Sequence, residues 1–87
     1  MYHVDHMPQQ DVLNRLLEIF PGRFTAEITK DNFLILNCNT EKDADYIDIE
    51  LEDGAFDAES ILCDIAQTSD YARIGNIFTI PPVEVLG

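Results

Sequence analysis

The residues of this chain best placed to do chemistry are carboxylates. Nine of its seventeen acidic residues fall between Glu41 and Glu59, where Lys42 is the only base, so this stretch carries −8 of a net charge of −12. Within it, Tyr46-Ile47-Asp48-Ile49-Glu50-Leu51-Glu52 alternates apolar and acidic residues with the period of a half-buried strand. The alternation predicts Ile47, Ile49 and Leu51 on a covered face and Asp48, Glu50 and Glu52 in a row on the opposite one, about 6.6 Å apart. Two carboxylates at that spacing repel by only about 0.6 kcal/mol in water, so the row costs little to keep. Its chemistry is attraction of a basic surface. The candidate partner-binding residues are Asp43, Asp45, Tyr46, Asp48, Glu50, Glu52, Asp53, Asp57 and Glu59, with Tyr46 as an aromatic anchor.

Other chemistries find less support. Asp48, Glu50, Glu52 and Glu59 fall at positions 1, 3, 5 and 12 of an EF-hand loop, but the glycine required at position 6 arrives one residue late, as Gly54. His3, with Asp5 and His6, stands where an amino-terminal copper or nickel chelate would draw its imidazole, and this carries an alternative reading as a metal-binding protein. Two solvated histidines in a polar terminal segment are the plainer expectation. Neither histidine has a cysteine at structural-zinc spacing. Cys38 lies in an apolar run and Cys63 beside a helical stripe, which predicts reduced, buried thiols instead of nucleophiles or a disulfide. Ser60 and Ser69 lack a G-x-S-x-G context, and there is no glycine-rich phosphate loop. A chain of 87 residues also leaves little depth for a catalytic cleft. The expectation is a protein without catalytic residues, bound metal or cofactor.

The elements that must position the acids follow from periodicity. Leu, Ile, Val and Phe supply 27 residues, enough for one core without tryptophan. Pro8 opens a helix over Gln9–Phe20 with Val12, Leu13, Leu16, Leu17 and Phe20 on one side, and Pro21-Gly22 ends it. Arg23–Thr29 alternates as a strand, Lys30-Asp31-Asn32 turns, and Phe33–Cys38 reads as a second strand covered on both faces or lying at a dimer contact. The acidic strand Tyr46–Glu52 closes the meander. Asp57 is the expected N-cap of a helix over Ala58–Gln67, with Ile61, Leu62, Ile65 and Ala66 inside and Glu59 and Asp64 outside. Arg73–Ile80 is extended with a bulge or tight turn at Gly75-Asn76, and Val83–Gly87 is a tail that frays or adds an edge. The expected fold is α+β in one domain over 1–87: a three-stranded antiparallel meander plus a fourth strand, packed with two helices in the order α-β-β-β-α-β. Residues 1–7 and 83–87 are its flexible ends.

That order resembles the double-stranded-RNA-binding domains, which meet phosphates with basic residues, and here the sign of the charge is opposite. It also resembles, in element order and acidity, the start of the dimeric type III secretion chaperones. In size, charge and compactness the chain is similar to DNA-mimic inhibitors of phages and mobile elements, including anti-CRISPR and anti-restriction proteins. That similarity implies an inhibitor that blocks the basic nucleic-acid-binding site of a partner, while chain size and the lack of export signals lead to the expectation of a non-enzymatic, cytoplasmic protein. Direct contact with nucleic acid or with an anionic membrane is disfavoured by charge. No run approaches the length of a membrane span, and the N-terminal residues lack the pattern of a secretory signal. The alternative is an immunity, antitoxin or secretion-chaperone module that binds through apolar surface. The shallow core leaves homodimerisation open in either case.

Overall fold

The computed structural model describes residues 5–85. Nine elements follow one another: β1 (His6–Met7), α1 (Gln9–Ile19), β2 (Phe24–Ile28), β3 (Leu34–Cys38), α2 (Glu41–Gly54), α3 (Ile61–Thr68), β4 (Ala72–Ile74), β5 (Ile77–Ile80) and β6 (Val83–Glu84). The α+β class stands, with an antiparallel four-stranded sheet ordered β2-β3-β5-β4 and a two-stranded ladder of β1 with β6. The expected order α-β-β-β-α-β does not. Residues 46–52 are helical, so the meander lacks its third strand and the sheet takes β5 beside β3 instead. Three helices are formed among the described residues where two were expected. The order that carried the two resemblances is therefore absent.

Register and burial show which face of the sheet is covered. Leu34, Leu36 and Cys38 of β3, Phe78 and Ile80 of β5, and Phe24 of β2 point into the core, with Leu34 opposite Ile80 and Leu36 opposite Phe78. Against them pack Val12, Leu16 and Phe20 of α1, Ala44, Ile47 and Leu51 of α2, and Ile61, Leu62 and Ile65 of α3. The alternate residues Thr25, Glu27, Asn37, Ile74 and Ile77 are exposed, so β3 is covered on one face only among the described residues. α1 follows its expected bounds to within a residue, although Leu17 is exposed. Its Gln9 is buried, and its Nε2 donates to the backbone oxygens of Asn32 at 2.9 Å and Ile80 at 3.0 Å, joining the helix start to β5.

α3 begins later than expected. Ser60, not Asp57, is its N-cap, with Oγ accepting from the Leu62 backbone N–H at 3.1 Å. A serine in extended conformation satisfies a first-turn donor, while Asp57 instead closes a local turn by accepting from the Glu59 N–H at 3.1 Å. Asp64, expected outside, is buried. Cys38 and Cys63 are buried free thiols, Cys63 donating to the Ala55 oxygen. Gly75, with φ +60°, sits first in the two-residue turn joining β4 to β5, where a glycine relieves the steric cost of positive φ. The segment 83–87, expected either to fray or to add an edge, contributes β6, and Val83 is buried against the core; residues 86 and 87 lie outside the described residues.

α2 and α3 meet at Gly54, where a β-carbon would lie 2.5 Å from Cβ of Leu62. Backbone-proximal atoms cannot yield as a side-chain tip can, so Gly54→Ala should lower stability by about 1–3 kcal/mol despite alanine's higher helix propensity. Thermal unfolding followed by circular dichroism checks this. A melting temperature equal to or above that of the parent would contradict the close approach.

Candidate partner-binding face on the acidic helix

α2 exists because two signals outweigh the alternation at 46–52. Thr40 caps its N-terminus: Oγ1 accepts from the Asp43 N–H at 3.1 Å and donates to Asp43 Oδ2 at 3.0 Å. Ala44, Ile47 and Leu51 then fall at i, i+3 and i+7, a helical stripe that is almost fully buried. Glu41 and Asp43 occupy the first turn, where the helix dipole favours carboxylates. The last turn carries Glu52 and Asp53 with no base, an arrangement that costs about 0.3–1 kcal/mol per charge.

Two arginines, one in β4 and one just before β2, hold the flanks of the helix. Arg73 of β4 donates from NH2 to Asp45 at 2.7 Å, from NH1 to Asp48 at 3.2 Å and from Nε to the Gly75 oxygen at 2.8 Å. These contacts, Asp45 first, raise its pKa further above the ordinary arginine value. On the other flank Arg23 pairs with Asp43 at 2.9 Å and lies 4.3 Å over the ring of Tyr46, which meets Phe20 edge-on. Tyr46 is thus held in place from within, with part of its ring exposed.

The expected row of Asp48, Glu50 and Glu52 is broken up. On a helix Asp48 and Glu52 share one side, with Asp45 one turn before, while Glu50 lies across the axis near Asp43. Asp45, Asp48, Ile49, Glu52 and Arg73 line a shallow groove of about 250 Å³. Asp53 lies near the outermost line of the helix, and Asp57 and Glu59 belong to the turn that follows, exposed and away from that groove. Glu41, Glu50 and Asp53 make no ion pair among the described residues. The EF-hand register is also lost, since Asp48–Glu59 runs from helix into turn. No cluster of three or more His, Cys, Asp or Glu is placed to hold a metal among the described residues. His3 lies outside them; His6 is in β1, 4.0 Å from Glu84.

Residues that the period-2 reading misassigned or passed over are prominent here. Ile49, expected in the core, is 56 % exposed, and Phe56 is 91 % exposed. The Thr40-x-x-Asp43 capping box and the i, i+3, i+7 stripe were the signals that could have found the helix and turned Ile49 outward.

Burial raises the pKa of the Cys38 thiol above its ordinary 9.0, with Asp43 adding to the effect and Arg73 opposing it. Burial, then Asp48 and Glu52, raises Tyr71 above its ordinary 10.0. Both groups bind their proton more tightly when folded. Their contribution is complete below the unfolded-state values and is lost as pH rises through the raised ones. The melting temperature should therefore hold level to about pH 9 and fall beyond it. Tyr71→Phe and Cys38→Ala should each flatten that fall, and an unaltered slope in both would contradict the assignment.

No helix among the described residues is long and apolar enough to cross a membrane. Comparison of the chain with protein-family models, curated proteins and solved structures returned no match.

Proposed function

We propose that this protein is a non-enzymatic binding module whose α2 helix occupies the basic, nucleic-acid-binding site of another protein, acting there as an inhibitor. The observation that carries this reading is charge density. α2 sets seven carboxylates along 14 residues. At about 1.5 Å rise per residue, this is one charge per ~3 Å, against ~3.4 Å along one strand of B-DNA. Arg23, Arg73 and Lys42 reduce the helix and its immediate partners to a net −4, concentrated at the C-terminal half. That half is where negative charge works against the helix dipole, so the acids there are kept at a cost to stability. An anti-restriction or anti-CRISPR role in a host cytoplasm is the setting in which such a surface acts.

A second reading, binding through apolar surface in the manner of an immunity protein, antitoxin or secretion chaperone, is favoured by the open sheet face. Ile35, Ile74 and Ile77 lie there, and Thr25, Ile35, Asn37 and Ile77 border a groove of about 330 Å³. A homodimer could use the same face. Ionic strength separates the two readings, because a screened charge array loses affinity with salt while an apolar contact does not.

The test is a triple variant, Glu50→Gln, Glu52→Gln, Asp53→Asn. Immobilised protein should capture nucleic-acid-binding proteins from a lysate of its source cell and release them to duplex DNA or to about 0.5 M salt. The variant should capture none while melting at a higher temperature than the parent, because unfavourable charges have left the helix end. Capture that neither DNA, salt nor the variant alters would overturn the charge-based reading.

A further inference from the structure

The outer surface of α2 is apolar as well as acidic, and its apolar residues are ordered. Tyr46, Ile49, Asp53 and Phe56 are spaced i, i+3, i+7 and i+10, the positions that one helix presents to another along a seam. Tyr46 is 40 % exposed, Ile49 56 % and Phe56 91 %. Phe56 follows the helix end by a tightened turn: Ala55 keeps right-handed helical angles and the Asp57 N–H reaches the Gly54 oxygen at 3.0 Å. Ile49 faces away from the buried stripe of Ala44, Ile47 and Leu51 and Phe56 is almost fully exposed, so the fold makes little use of either; Tyr46 meets Phe20 and Arg23 and leaves part of its surface open. Large exposed apolar side chains rimmed by polar ones mark sites of protein contact.

Charge decides what fits. Asp45 and Glu52 border the seam on one side, Glu50 on the other, and Asp53 interrupts it, with Lys42 the one base on the helix. A second copy would set carboxylate against carboxylate, and nucleic acid or an anionic membrane would be repelled in the same way. Resting on the reading of α2 as the contact surface for a basic protein, we infer that its outer face is a docking seam for a cationic amphipathic helix. Tyr46, Ile49 and Phe56 receive the apolar stripe of the partner helix, and Glu50, Glu52 and Asp53, none of them held by Arg23 or Arg73, receive its Lys and Arg residues. This is the flank pairing that sets partner choice between helices. Phe56, as an exposed aromatic, supplies the contact that displaces most water.

The test uses three synthetic peptides of equal length: a Leu/Lys helix with a leucine stripe, the same composition scrambled, and oligolysine. The striped peptide should bind at least about tenfold tighter than the scrambled one and retain more of its affinity at high salt. Ile49→Ser with Phe56→Ser should bring the striped peptide down to the scrambled level and leave oligolysine unchanged. Both residues are exposed, so the variant should melt as the parent does. Equal binding of striped and scrambled peptides, or an unaffected variant, overturns the seam. So does a dimer in sedimentation that the variant abolishes, which would give the seam to a second copy. Failure of the charge reading is separate: it would appear as oligolysine binding that Glu50→Gln, Glu52→Gln, Asp53→Asn leaves intact.

Discussion

A helix that carries a carboxylate at every second position, on average, stays on this fold because one narrow stripe of it is dry. Ala44, Ile47 and Leu51 are the buried residues of α2, and they meet β3 and α3 where Gly54 permits close approach. Burial of side chains such as Ile47 and Leu51 contributes about 1.5–3 kcal/mol each. That exceeds what the acids at the helix C-terminus cost individually. Outward of the stripe, structural duty falls to the residues that meet Arg23 and Arg73 and the rest are released from it, which is how the helix can carry so lopsided a surface.

Arg23 and Arg73 divide the acids into two populations. Exposed ion pairs contribute little to stability, with a median of about 0–1 kcal/mol. Their value here is geometric. Arg73 reaches from the core-side face of β4 to one flank of α2, and Arg23 reaches from the start of β2 to the other, so the helix cannot roll about its axis without breaking one of them. Asp43, Asp45 and Asp48 are committed to this task. Glu41, Glu50 and Asp53 keep their full charge for solvent or a partner.

Much of the framework was legible in the chain. The α1 bounds, the Pro21-Gly22 stop and the strand pair around Lys30-Asp31-Asn32 each had one physical reading and took it, and of the two readings at Gly75-Asn76 the tight turn formed. The stretch 46–52 had two. Its isoleucines favour strand and alternate with acids, while Ala44, Ile47 and Leu51 also fit a helical stripe. The choice was made outside the stretch, by the cap at Thr40 and by Ala44, which carries the buried stripe back toward that cap. Once helical, the acids spread around the axis, and Ile49 came to the centre of the exposed face beside Asp53, with Tyr46 at its edge. Charge sign and its concentration survived the change of element; the arrangement of individual carboxylates did not. Asp64 shows the same limit on a smaller scale, because a helix covered on several sides buries residues that a single-stripe reading leaves outside.

The β1–β6 ladder has a consequence of a different kind. With His6 opposite Glu84 and Met7 opposite Val83, residues separated by nearly the whole chain are adjacent in space, and the described fold is a closed circuit. Backbone connectivity could be moved around that circuit by circular permutation, joining the two ends through a short linker and opening the chain in the exposed turn at 56–59. α2 would then become the last element before a free terminus. In that arrangement the acidic helix could be extended residue by residue past Gly54 without altering the sheet that supports it.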